Sequence, residues 1–159
     1  MLEQLLAPAI FAIFAIGFAL IWHQNREVKA AGIWAASYFF GFLSFSSTPL
    51  INSFSQLEPF RPVSDTFYLM SPVLFVVGVG FRYTLKLPRR LLALIFLTSL
   101  SVVYWHWFIV DSYSIRAEAI SYGCAALFAV GAWMLYQTLE THRTHLLFWI
   151  VTILSLIHI

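Results

Sequence analysis

The stretch LLAPAIFAIFAIGFALIW, at positions 5–22, contains no charged side chain. A bilayer's hydrocarbon core is ~30 Å thick, and at ~1.5 Å of rise per residue a helix needs about 20 residues to cross it. The stretch has that size. It does not read as a removable leader. Met1-Leu2-Glu3-Gln4 supplies no basic segment before it, and HQNREVK at 23–29 follows in place of a small-residue cleavage site. The sequence predicts a retained first helix, ended by His23-Gln24-Asn25-Arg26-Glu27, a run of groups that are costly to desolvate.

The same pattern recurs along the chain. Apolar stretches of spanning length lie at about 30–51, 66–85, 91–110 and 117–139, and a sixth runs from about 146 to the end. None shows the strict alternation of a barrel strand, and each is too long to be one. The breaks have a physical logic. Pro59 and Pro62 favour an extended loop over 52–65. Pro88-Arg89-Arg90 makes a charged turn, Asp111-Ser112 ends the fourth stretch, and residues 140–145 end the fifth.

Composition agrees. Of 159 residues, 61% are hydrophobic and 10% charged, against roughly 45–50% and 25% in soluble domains. So little charge cannot coat a water-facing surface, so much of the exterior must face hydrocarbon. The expected fold is an all-α polytopic transmembrane bundle of about six helices, one membrane domain over 1–153 with the lipid bilayer as its first partner. The net charge of +2 does not suggest a nucleic-acid partner. A single cysteine, Cys124, allows no internal disulfide and reads as a small packing residue.

Orientation follows from the basic residues. Arg26, Lys29, Arg82, Lys86, Arg89, Arg90 and Arg143 fall on one side of this threading, and only Arg61 and Arg116 on the other. The basic side is expected to be cytoplasmic, which places the N-terminus outside. Trp22, Tyr104, Trp105, Trp107 and Tyr136 sit near span ends, where amphipathic rings prefer to be. Six spans from such a start would finish outside. The last six residues, LSLIHI at 154–159, resemble the translation of a transposase adapter used in sequencing libraries. On that reading the native sequence stops near residue 153, and the intact protein continues through a seventh helix or more.

No catalytic constellation is present. Gly78-Val79-Gly80 lacks the third glycine and the strand of a dinucleotide loop, and suits close helix packing instead. His142 and His145 share a turn with Glu140 but lack a further ligand, so no metal site is expected. Ser44, Ser46, Ser47, Thr48, Ser99 and Ser101 are hydroxyls that bond back to their own helix or to a neighbour. The span middles carry almost no ionisable group, which argues against proton coupling. The outward side, by contrast, gathers Phe60, Arg61, Asp65, Tyr68, Trp105, His106, Asp111, Tyr113, Arg116 and Glu118. Two readings stand. Arg61 with Asp65, and Asp111 with Arg116, could simply close loops as surface ion pairs. Alternatively Trp105, His106, Asp111 and Arg116 belong to an aromatic-lined mouth that senses an external or lipid-borne signal.

Several segments resemble the N-terminal membrane region of bacterial GGDEF proteins, the diguanylate cyclases. They are the Trp-containing second span GIWAASYFFGFLSF (32–45), the glycine-and-arginine exit GVGFRYTLKLPRR (78–90) and the aromatic–Asp turn YWHWFIVDSYSIRAEAIS (104–121). The resemblance implies a sensory module in the bacterial inner membrane, feeding a cytoplasmic cyclase that condenses two GTP into cyclic di-GMP across a homodimer. GTP and Mg²⁺ would belong to that missing output domain. No cofactor and no catalytic residue are implied for this segment, whose sequence lacks the GGDEF motif. An input region of a sensor histidine kinase, and a small-molecule permease or membrane assembly protein, are the alternatives.

Overall fold

A computed structural model describes residues 2–110 and 112–137, with side chains from Leu6 onward. They form five α-helices: α1 (Leu2–Gln24), α2 (Lys29–Ser53), α3 (Arg61–Arg82), α4 (Arg89–Phe108) and α5 (Tyr113–Tyr136). A short 3-10 turn, Ser55–Phe60, joins α2 to α3. No strand occurs among the described residues. The all-helical class is as expected. The count is five among the described residues where about six were expected. The stretch from 146, the tail at 154–159, Arg143, His142, His145 and Asp111 lie outside them.

Among the described residues, four segments are long and apolar enough to cross a membrane: Leu6–Gln24, Ser55–Arg82, Arg89–Phe108 and Tyr113–Tyr136. α2 has the length, at 25 residues, but falls short in apolarity. Its hydroxyls are the reason, and they are spent inside the protein. Ser37 Oγ donates to the Ser71 carbonyl at 2.8 Å, and Thr48 Oγ1 donates to the Ser44 carbonyl at 3.0 Å. A helix flanked by two others, as α2 is by α1 and α3, does not need a lipid-compatible surface on every side.

Neighbouring pairs fix the direction of each helix. α2 and α3 are antiparallel: Trp34 meets Phe75, Ser37 meets Ser71 and Ser44 meets Ser64. α1 runs antiparallel to α2, with Phe18 against Trp34 and Phe11 against Phe45 and Tyr38. α3 and α5 are in contact and parallel, with Val76 beside Gly131, Phe75 beside Phe128 and Leu69 beside Gly123. α3 is the hub, packing on α2, α4 and α5. It supplies both core clusters, Phe75 and Val79 to one and Val76 to the other. Among the described helices α1 packs on α2 alone, and it leaves Ile13, Ile16 and Leu20 more than half exposed. Such a face is stable against hydrocarbon and costly against water.

Two expectations are corrected. Residues 52–65 do not form an extended loop through two prolines. Pro59 lies in the 3-10 turn, and Pro62 sits in the first turn of α3, where its missing N–H would have had no helical partner. α3 therefore starts five residues before the expected position of 66. α5 likewise begins at Tyr113 rather than near 117, so Arg116 is a helical, not a loop, residue.

Candidate functional site

The alternation of directions brings the C-terminal half of α2 and the N-terminal turns of α3 and α5 to one end of the bundle. At the opposite end lie the α1–α2 and α3–α4 turns, with Arg26, Lys29, Lys86, Arg89 and Arg90. The end remote from those basic residues holds a cavity of about 230 Å³. Ser44 and Thr48 line it from α2, Arg61, Asp65 and Tyr68 from α3, and Tyr113, Arg116 and Ser121 from α5.

Local chemistry explains each position. Arg61 and Asp65 are four apart in the first turns of α3 and so share a face. They do not close on each other as the surface-pair reading required. Arg61 Nη2 donates instead to Asn52 Oδ1 at 2.6 Å, tying the start of α3 to the end of α2. Asp65 makes neither a hydrogen bond nor an ion pair with any described residue, although Arg61 and Arg116 are both near enough to act on its carboxylate. Behind the cavity, the Ser47 hydroxyl donates to Ser64 Oγ at 2.7 Å, and Ser44 Oγ lies 3.5 Å from the same atom. This hydroxyl knot, with Ser44 and Ser64 fully buried, pins α2 to α3 where the cavity begins.

Arg116 is buried to 6% exposure. Its Nη1 donates to the His106 carbonyl at 3.0 Å, and its guanidinium carbon lies 4.4 Å from the centre of the Trp107 ring. The Ser112 N–H donates to the same carbonyl at 3.2 Å. A planar, permanently charged group held by a carbonyl and an aromatic face is the arrangement for which arginine is suited. It anchors the α4–α5 connection from the cavity side.

The four residues singled out from sequence therefore separate. Arg116 lines the cavity. His106 serves Arg116 through its main-chain oxygen, and its Nδ1 is buried with no hydrogen-bond partner among the described residues. Trp105 is 55% exposed and does not line the cavity. Asp111 lies outside the described residues. Sequence reasoning missed Ser44, Thr48 and Ser64 as parts of one site. Their four-residue hydroxyl spacing on α2 was visible, but their partner on α3 was not. It also missed Tyr104, whose hydroxyl lies 3.2 Å from Thr66 Oγ1 and links α4 to α3 beside the cavity.

A wider hollow of about 510 Å³ opens at the basic end, in the crook of the α3–α4 turn beside Thr84, Lys86 and Arg89. No group of three or more metal-ligating side chains occurs among the described residues. No protein-family model, curated protein or solved structure matches this chain.

Proposed function

We propose that this chain is the membrane-embedded input region of a bacterial signal-transduction protein, lying in the inner membrane with its N-terminus outside. In the full-length protein the output is a diguanylate cyclase that makes cyclic di-GMP from GTP in a homodimer. GTP and Mg²⁺ belong to that downstream domain, and no catalytic role is assigned to any residue here.

The observation that carries this reading is the placement of the cavity. Its lining includes hydroxyl and charged side chains, and it is built at the end of the bundle remote from the basic turns. By the positive-inside rule that end faces outward. Three helices share its walls, so an occupant bears on α2, α3 and α5 together. The α3–α5 interface running away from it is lined by Gly123 and Gly131, small residues that let helices approach and shift. Occupancy at one end then biases how α3 and α5 pack at the other, the basic end that the same rule assigns to the cytoplasm, where the output domain acts.

The native coding sequence that follows residue 153 tests the proposal. A GGDEF segment there supports it. A kinase core moves the same input to a sensor histidine kinase. A stop soon after a further helix removes the signalling reading in favour of a permease or assembly protein.

A further inference from the structure

The cavity at the outward end also contains an argument about what fills it. Its charged lining is mixed: Arg61 and Asp65 on α3 face Arg116 on α5 across about 230 Å³. The first turns of α3 and α5 both contribute, so the partial positive charge of two helix N-termini is added to the guanidiniums. An anion would find donors here but would also meet Asp65. A cation would be held by Asp65 but would meet two arginines. Asp65 is part-buried and its carboxylate makes no hydrogen bond or ion pair with a described residue, so it is open to a cationic group. Only a ligand carrying both charges complements both halves of the lining.

Hydroxyl geometry adds a second constraint. Thr48 donates to the Ser44 carbonyl at 3.0 Å and Ser121 to the Ala117 carbonyl at 2.8 Å, so both hydroxyl protons are committed to their own helices. Their oxygen lone pairs remain as acceptors, suited to a ligand that brings N–H groups. The volume admits a molecule of amino-acid size, below the ~300–1,000 Å³ of pockets for drug-sized ligands.

We propose that this cavity binds a small zwitterion, its ammonium held by Asp65 and the Thr48 and Ser121 oxygens and its acidic oxyanion held by Arg61. This rests on the sensory reading for its purpose but not for its chemistry. A free amino acid and the phosphoethanolamine headgroup of a phospholipid share that chemistry.

The test uses the whole chain in nanodiscs of phosphatidylglycerol alone, with melting followed by tryptophan fluorescence. Glycine, free phosphoethanolamine, acetate and methylammonium are added separately at equal concentration. At saturating ligand a zwitterion is expected to raise Tm by about 5 °C or more, and the singly charged probes are expected to give no such rise. Asp65→Asn is expected to abolish the response. Should that variant fail to fold, the four-probe comparison on the unaltered chain still decides. Stabilisation by glycine identifies a soluble amino acid as the source. Stabilisation by phosphoethanolamine without glycine, reproduced by phosphatidylethanolamine in the disc, identifies the lipid headgroup. Equal shifts with acetate alone, or no shift with any probe or lipid, overturn the proposal. Failure here leaves a downstream output domain untouched, and absence of such a domain leaves the binding result untouched, so the two claims fail separately.

Discussion

The indole Nε1 of Trp34 donates to the carbonyl of Phe75 at 3.1 Å, and the same ring occupies the space that any side chain on Gly78 would need. One tryptophan thus locks α2 to α3 by a directed bond and by a glycine-made recess. Gly78→Ala is expected to cost about 1–3 kcal/mol, because the recess is filled and the ring cannot retreat without breaking its bond. In a Trp34→Phe background the same change is expected to cost much less, since a smaller ring lacking the N–H has no bond to lose. Reversible unfolding in mixed micelles measures the cycle. Strictly additive costs would show that the two residues do not share this contact.

Arg116 is expected to resist conservative replacement. Lysine keeps the charge but loses the planar stack on Trp107 and the fixed geometry towards the His106 carbonyl. Arg116→Lys and Arg116→Met are both expected to lower stability by about 1.5–3 kcal/mol. Tryptophan-monitored melting is the measurement, and wild-type behaviour of the lysine variant would contradict the arrangement.

His106 contributes its main chain, and its ring nitrogen Nδ1 is buried without a partner among the described residues. Removing an unsatisfied polar group costs little. His106→Leu is therefore expected to change stability by less than about 1 kcal/mol and to leave any response to glycine or phosphoethanolamine intact. Loss of that response would return the imidazole to the site.

Ser64 holds both Ser44 and Ser47. Hydroxyl bonds between membrane helices average about 0.6 kcal/mol and reach about 1.7, because a freed serine can turn to its own backbone. Ser64→Ala is expected to fall in that range, and the same unfolding assay reads it. A cost several-fold larger would mean that the knot, rather than apolar packing, holds α2 on α3.

Much of this was legible in the sequence, for a simple reason. Where charge is missing over spanning length, the backbone must satisfy itself, and a helix does so locally. Positions 5–22 and 91–110 needed no tertiary information to be read as helices. The start of α3 did, because Pro62 reads equally as a loop residue or as a first-turn residue. The gathering of Arg61, Asp65, Tyr68, Tyr113 and Arg116 at one end followed from threading alone. What threading could not give was the parallel contact of α3 with α5, which joins residues more than fifty positions apart. Without it Arg116 looked like a loop residue and Trp105 like a pocket wall. The hydroxyls of α2 were visible, but their assignment to a cavity required knowing that Ser64 and Asp65 stand opposite.

The threading itself is open to direct measurement. In a Cys124→Ser background, single cysteines are placed as Gln56→Cys in the 3-10 turn and Thr84→Cys in the α3–α4 turn, and intact cells are treated with a membrane-impermeant maleimide. Labelling at position 56 without lysis, and at position 84 only after lysis, is the expected result. Equal labelling of both positions in intact cells would contradict a chain that crosses the bilayer between them with its cavity end outward.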